Sequence, residues 1–120
     1  MLIRRIRDRP ELPAPDGCIL RELLHPQRDA VALPYSIAHA RLEPGHETRR
    51  HFLRQSEVYH IISGHGRIHV GHETAVVGPG DTILVEPERE QWLENIGETE
   101  LHFLAIVSPP WNEEDDILLD

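Results

Sequence analysis

The sequence predicts an all-β domain, either a sandwich or a barrel, on three observations. Turn-forming residues recur at short intervals between Pro13 and Pro110. The segments between them are short, alternate in polarity and are rich in Val and Ile. No stretch of helical length shows a convincing 3.6-residue hydrophobic period. Short strands at regular spacing, separated by turn residues, are typical of sandwiches and barrels.

The segment from Tyr35 to Leu42 is predicted to be a strand with one face of small residues. Alternation places Ser36, Ala38, Ala40 and Leu42 on that face. Small side chains that point inward leave space between the sheets, so this strand predicts a cavity within the barrel.

The segment from Glu57 to Gly71 reads as a hairpin around Gly64-His65. A two-residue turn sets Ile61 opposite Ile68, Tyr59 opposite Val70 and His60 opposite His69. A three-residue loop would instead turn His69 inward. We expect the two-residue register, because it pairs the apolar residues. A short apolar strand, Asp81 to Val85, follows a Gly-Pro-Gly turn.

Length and composition allow one domain. The 120 residues are 39% hydrophobic, with only two Trp, two Tyr and two Phe, so the core must be mostly aliphatic. A chain of this size buries a modest fraction of its surface, and pairing is a common remedy. We therefore expect a homodimer, with the segment before Pro26, including Ile19 and Leu20, as the contact.

Charge and cysteine content limit the partners and the compartment. The formal net charge is −9, from 21 acidic residues against 12 basic residues that are all arginine, which disfavours nucleic acid as a partner. Cys18 is the only cysteine, so no intrachain disulfide is expected and a reducing compartment fits. No segment has the length of a membrane span, and no apolar stretch follows the N-terminal arginines as a secretory signal requires. The expectation is a cytoplasmic protein that does not bind membranes.

Two groups of residues stand at the spacings of known motifs. The first pattern, G-x5-H-x-H-x3-E-x6-G, is matched in order by Gly45, His51, Leu53, Glu57 and Gly64. The second pattern, G-x5-P-x-G-x2-H-x3-N, is matched in spacing by Gly80, Glu86, Glu88, Gln91 and Asn95. In both, the sequence resembles the small single-domain members of the cupin family.

The resemblance implies a double-stranded β-barrel of the jelly-roll type over residues 1–120. This single domain would consist of an N-terminal arm with the first strands (1–34), the barrel with both motifs (35–107) and an acidic C-terminal tail (108–120). The acidic run from Glu113 to Asp116 in that tail is predicted to be solvated.

The resemblance also implies a metal cage inside the barrel, made by three histidines and one glutamate, which holds a divalent metal such as Mn, Fe, Ni or Zn. His51 and Glu57 retain two of the four positions, whereas Leu53 and Gln91 replace histidines. The remaining donors, His51, Glu57 and Gln91, suit a hard ion such as Mn²⁺ or Fe²⁺ and predict weak affinity. The alternative is a metal-free pocket in which the same three side chains bind a ligand.

Other side chains near the motifs are candidates for the pocket. Tyr59 shares a strand face with Glu57, so its hydroxyl is expected to reach the pocket. His102 lies on a late strand whose face the sequence leaves undecided, and it would be an extra ligand if it pointed inward. His46 lies in a loop and could swing to the pocket mouth, although a solvated histidine is the alternative. Cys18 is expected to be buried and inert.

Two functions follow from these observations and stay open. The first is a cupin that binds a small molecule in a pocket formed by His51, Leu53, Glu57, Tyr59 and Gln91, without metal or with weakly bound metal. The second is a metal-dependent enzyme (an oxygenase, isomerase, epimerase or lyase) that acts on a small polar substrate. Glu57, His51 and Tyr59 are the candidate catalytic residues.

Overall fold

The computed structural model describes residues 1–119 and contains eleven β-strands in two antiparallel sheets. The strands are β1 (Leu12–Pro13), β2 (Ile19–Leu24), β3 (Ser36–Leu42), β4 (His51–Leu53), β5 (Ser56–Ser63), β6 (Gly66–Val70), β7 (Glu73–Val77), β8 (Thr82–Val85), β9 (Gln91–Asn95), β10 (Leu101–Ser108) and β11 (Asp116–Leu118). The helical elements are a single turn of α-helix, α1 (Pro26–Asp29), and the 3₁₀ turns Ile6–Asp8 and Glu113–Asp115. The all-β prediction is confirmed.

The large sheet has six strands in the order β1-β2-β3-β10-β5-β8, and the small sheet has five in the order β11-β4-β9-β6-β7. Consecutive strands cross repeatedly from one sheet to the other, as in a double-stranded β-barrel. Among residues 1–119, no helix is long and apolar enough to span a membrane.

The apolar core fills one end of the space between the sheets. Ile61 from the large sheet and Leu93 from the small sheet are at most 1% exposed, and Leu101 is fully buried beside them. Burying side chains of this size stabilises a fold by about 1.5–3 kcal/mol each. The alternation in β9, where Gln91, Leu93 and Asn95 are buried, shows how the pleat directs every second residue inward.

Strand β3 behaves as its alternating pattern predicts. Ser36, Ala40 and Leu42 are buried, while Ser36, Ala38 and Ala40 line a cavity between the sheets. The neighbouring strand β10 pairs Ala105 with Ala38 and Phe103 with Ala40. A row of alanines therefore leaves one end of the barrel unfilled, as predicted.

The predicted hairpin between β5 and β6 is wrong. These strands belong to different sheets: β5 pairs with β10 and β8, whereas β6 pairs with β7 and β9. Ile61 lies opposite Phe103, and Ile68 lies opposite Ala75 and Leu93, so the two isoleucines face one core from opposite sheets.

The other two pairings proposed for that hairpin are wrong for the same reason. Tyr59 lies between Ala105 and Ile83, whereas Val70 lies between Glu73 and Gln91. His60 lies beside Thr82, and His69 lies between Thr74 and Trp92. Apolar alternation on both sides of a glycine turn is the same for a hairpin and for a corner that joins two sheets. The sequence pattern therefore cannot separate them.

The segment predicted as a solvated acidic tail is partly a strand. Glu113 and Glu114 are exposed as expected, but Asp116–Leu118 forms β11, which pairs with β4 at the edge of the small sheet. Asn112 caps the preceding turn by accepting a hydrogen bond from the Asp115 amide at 3.0 Å. The apolar residues Ile117 and Leu118 after the acidic run allow it to continue as a strand.

Candidate functional site

A cavity of about 310 Å³ occupies the end of the barrel that the alanines leave unfilled. Its apolar wall comes from β2, β3 and β10 and includes Leu20, Ala38, Ala40, Phe103 and Ala105. The polar side chains in the lining come from β5 of the same sheet, from β4 of the small sheet and from segments near both chain ends. A cavity of this volume with a mainly apolar lining and a few polar groups is typical of small-molecule sites.

His51 on β4 directs one ring nitrogen to the cavity. The side chain is 3% exposed, and its Nδ1 lies 2.8 Å from the backbone carbonyl of Arg49. Because a carbonyl oxygen only accepts, Nδ1 must be the donor, which leaves Nε2 for a ligand. Nε2 lies 3.8 Å from Oδ2 of Asp16.

Glu57 on β5 is a buried carboxyl group that lines the cavity. It is 7% exposed, and its Oε1 has no hydrogen-bond partner within residues 1–119. Burial raises the pKa of Glu57 to about 7 by disfavouring the charged form; nearby His51 opposes the rise and nearby Asp16 adds to it.

Tyr59 and Gln91 form a buried pair beside Glu57. The Tyr59 hydroxyl donates a hydrogen bond to Oε1 of Gln91, whose side chain is 1% exposed. The Nε2 atom of Gln91 has no partner in the described part of the chain. Burial raises the pKa of Tyr59 well above its usual value, so the phenol stays protonated and can donate.

The structure thus places the five predicted pocket residues in one region. His51 is the cross-strand partner of Gln91, Leu53 follows His51 on the same face, and Tyr59 follows Glu57 in the same way. His51, Leu53, Glu57 and Tyr59 line the cavity directly. Gln91 lies behind Tyr59 and is not part of the cavity wall.

Two acidic residues at the cavity are absent from the motif pattern. Asp16 lies in the turn before β2, where its Oδ1 accepts the Cys18 amide at 3.1 Å. Asp116 on β11 accepts the Trp111 indole N–H at 3.0 Å through Oδ2, and its buried Oδ1 has no partner among residues 1–119. Burial raises the pKa of the Asp116 carboxyl. The local sequence marked Asp16 only as a turn residue and Asp116 only as part of an acidic run.

The candidate extra ligand His102, whose face the sequence leaves undecided, is not in the pocket. On β10 the neighbours Leu101 and Phe103 point inward, so His102 points outward. Its ring lies 5.2 Å from that of His39, and its Nε2 lies 3.5 Å from Oε1 of Glu100. His46 is also outside the pocket, since it is exposed and 4.0 Å from Glu43.

Cys18 is buried, as predicted, and its side chain lines the cavity. Burial raises the pKa of its thiol well above the usual value, and the nearby Asp16 carboxylate adds to the rise. The thiol therefore stays protonated at neutral pH and is a poor nucleophile.

The family model described as "Cupin domain" matches residues 38–107. The chain belongs to the cupin family. It is also 36% identical over 106 residues to an uncharacterized protein of Methanocaldococcus jannaschii, covering 88% of this chain and 84% of the relative.

Solved structures share the cupin fold at lower identity. Oxalate decarboxylase of Lactobacillus farciminis, in its formate complex, superposes with a TM-score of 0.81 at 21% identity, over 94% of this chain and 34% of that chain. This cupin thus spans about a third of that enzyme's length. Pac13 of Streptomyces, a nucleoside dehydratase, superposes with a TM-score of 0.78 at 20% identity, over 99% of this chain and 91% of that chain. A predicted oxalate decarboxylase of Thermotoga maritima gives 0.76 at 22% identity, over 99% of this chain and the whole of that chain.

The residues at the cupin metal positions do not fit the usual cage. Leu53 has no donor atom, and the amide oxygen of Gln91 already accepts the Tyr59 hydroxyl. Among residues 1–119, no three or more His, Cys, Asp or Glu side chains are grouped to hold a metal ion. The donor set at these positions is therefore one imidazole and one carboxylate, fewer than metal sites in proteins commonly use.

Proposed function

We propose that this cupin binds a small molecule in the barrel cavity without needing a metal at the family's site. The observation that carries the proposal is that Oε1 of Glu57, a residue of the cavity lining, has no hydrogen-bond partner among residues 1–119. Leaving a buried polar group without a partner costs about 1–3 kcal/mol. A ligand that donates a hydrogen bond to Glu57 removes that cost.

The surroundings of Glu57 support a bound ligand with one polar end. Nε2 of His51, on β4 of the other sheet, offers a second polar contact, because Nδ1 is held by the Arg49 carbonyl. The apolar body of the ligand would pack on Ala38, Ala40 and Phe103. The pocket thus combines a mainly apolar lining with a few polar groups that can orient a ligand.

A catalytic form of this proposal is favoured by one specific observation. A carboxyl group whose pKa is about 7 can accept and return a proton near neutral pH, which is the property of a general acid or base. Glu57 would transfer the proton, and His51 would orient the substrate through Nε2. The metal-dependent alternative lacks comparable support, because Leu53 and Gln91 occupy two of the ligand positions.

The proposal is tested by filling the cavity. Ala38→Phe places a ring in the cavity, whereas Leu84→Phe adds the same ring at an exposed position and is the matched control. A library of small polar fragments is screened by ligand-observed NMR in EDTA. We expect fragments that bind wild type and Leu84→Phe but not Ala38→Phe. The proposal would be overturned by fragments that still bind the Ala38→Phe variant, or by fragments that bind only when metal is added.

A further inference from the structure

We propose that the cavity selects a small primary amine, whose ammonium group is attracted by the acidic lining and donates a hydrogen bond to the carboxylate of Glu57. This inference rests on the proposed function and names the chemical class of its ligand.

The charged lining of the cavity is strongly acidic. Five carboxyl side chains of residues 1–119 line it, from Asp16, Glu22, Glu57, Glu113 and Asp116. The same described part of the chain contributes one arginine to the lining, Arg28, whose guanidinium lies 3.2 Å from Glu22 and is therefore paired. Because an anion would meet these carboxylates without a free guanidinium to hold it, the site disfavours carboxylate and phosphate ligands.

Unpartnered carboxyl oxygens indicate that the acidic side chains can accept hydrogen bonds from a ligand. Oε1 of Glu57, on a side chain 93% buried by its 7% exposure, has no partner within residues 1–119. Oδ1 of Asp116 is likewise buried and unpartnered there. Oδ2 of Asp16, 3.8 Å from the His51 ring, is beyond hydrogen-bond distance.

The acidic lining matches the charge and the donors of an ammonium group. An alkylammonium carries a positive charge, three N–H donors and no acceptor, whereas a hydroxyl is neutral and carries one donor. One N–H would satisfy Oε1 of Glu57, and the positive charge would reduce repulsion among the acids. Ala38, Ala40 and Phe103 then pack against the carbon body of the amine.

Two of the acidic residues that favour an amine lie outside the segment that matches the cupin family model. Asp16 and Asp116 precede and follow residues 38–107. A turn fixes Asp16, through the Gly17 amide donating to the Ala14 carbonyl at 3.0 Å, and the Trp111 indole fixes Asp116. Both carboxylates are thus positioned by this chain's own flanking segments.

The experiment compares three ligands of one shape: 3-phenylpropylamine, 3-phenylpropan-1-ol and 3-phenylpropanoate. Their binding to the full-length wild-type chain is measured by calorimetry at neutral pH in EDTA. We expect the amine to bind at least tenfold more tightly than the alcohol, and the carboxylate not to bind detectably. Equal binding of amine and alcohol would overturn the inference and leave the proposed small-molecule pocket intact.

Variants then test which carboxylates act. Asp16→Asn and Asp116→Asn should each reduce amine affinity at least fivefold and leave alcohol affinity unchanged. Glu114→Gln, an exposed acid that does not line the cavity, should change neither. Circular dichroism confirms that each variant is folded, and the wild-type comparison still decides the matter if one is not.

Two further outcomes separate the rival explanations. If none of the three compounds binds and the fragment screen also yields no cavity ligand, the proposed function itself fails. If the amine binds only without Mg²⁺ or Mn²⁺, and either ion alone binds near one equivalent, the acids form a divalent-cation site and the amine assignment is overturned.

Discussion

At the scale of the single residue, Glu57 shows how burial changes the ionisation of a carboxyl group. On an exposed strand a glutamate is ionised at neutral pH, but at 7% exposure this one is held near its midpoint by burial. A folded-state pKa above the unfolded value means that the folded protein binds more protons than the unfolded chain over that interval. The fold is therefore less stable as pH rises from about 4.5 to about 7.

Replacing this carboxyl group with an amide should remove that loss. We expect Glu57→Gln to match wild type in stability near pH 4.5 and to exceed it by about 3 kcal/mol at pH 8, since the pKa of Glu57 rises from 4.5 to about 7 and each pKa unit corresponds to about 1.4 kcal/mol. Urea unfolding at both pH values measures the difference, with the exposed Glu114→Gln as control. A Glu57→Gln variant that is less stable than wild type at pH 8 would show instead that the carboxylate is stabilised by its neighbours.

The metal cage of the cupin family is incomplete here because Leu53 and Gln91 replace two of its histidine ligands. Both lie at ligand positions, and the structure places both side chains inward beside His51. We expect Leu53→His with Gln91→His to raise affinity for Ni²⁺, Zn²⁺ or Fe²⁺ by orders of magnitude, because each well-placed imidazole contributes several kcal/mol. Calorimetry and the metal-dependent rise in Tm measure the gain.

The wild-type chain is the control for this gain of binding. Tight binding by wild type, for example through Asp16 with His51, would contradict the explanation. A double variant that folds but binds no better would contradict it as well. His102 and His46 cannot supply the missing ligands, since both lie outside the pocket.

At the scale of the element, periodicity predicts faces well and partners poorly. The period of two placed Ser36, Ala38 and Ala40 on the cavity side of β3, and it placed Tyr59 on the face of Glu57. It could not say that β5 and β6 lie in different sheets, because alternation fixes the direction of a side chain and not the strand beside it.

Gly64 is the residue that makes this corner between the sheets. Its φ is +86°, and a Cβ there would lie 2.7 Å from the carbonyl oxygen of Glu100 and 3.0 Å from Cα of Leu101. Backbone atoms cannot move aside as a flexible side chain can. The glycine therefore serves both the left-handed turn and the close approach of β10.

Gly64→Ala should be much more destabilising than the same substitution at a glycine that has a positive φ but no close neighbours. Gly80 is the matched control, since its φ is +89° and a Cβ there would meet nothing within 4 Å. Left-handed strain alone costs about 1–2 kcal/mol, and the clash should add about 1–3 kcal/mol at Gly64. Urea unfolding of both variants measures this, and equal losses would show that the corner is not tightly packed.

For the whole molecule, the site depends on the fold bringing segments near both chain ends to the same cavity. The inward positions of His51, Glu57 and Gln91 could be predicted because they belong to spaced motifs on strands. Asp16 and Asp116 could not, because they lie 100 positions apart and only the closed fold brings both to one cavity. Their approach depends on the turn before β2 and on β11, and the local pattern of each segment indicates its own conformation but not the distant residues that it will meet.

The N-terminal arm suggests how two molecules would meet, and the homodimer stays a prediction. Leu2, Ile3 and Ile6 are exposed apolar side chains. The arm is held in place by Arg4, whose Nε donates to Asp29 at 2.9 Å. Its arginines carry positive charge on a chain whose net charge is −9, so a second acidic copy is a complementary partner.

We therefore expect wild type to sediment as a dimer at tens of micromolar, and Ile3→Asp with Ile6→Asp to sediment as a monomer. The two carboxylates would place charge in an apolar contact and repel the acidic partner. Val76→Asp, on the exposed face of β7 in the other sheet, is the control and should stay dimeric. A monomeric wild type would contradict the dimer, and dissociation by Val76→Asp alone would move the contact from the arm to the small sheet. Because neither arm residue lines the cavity, loss of the dimer should leave ligand affinity unchanged.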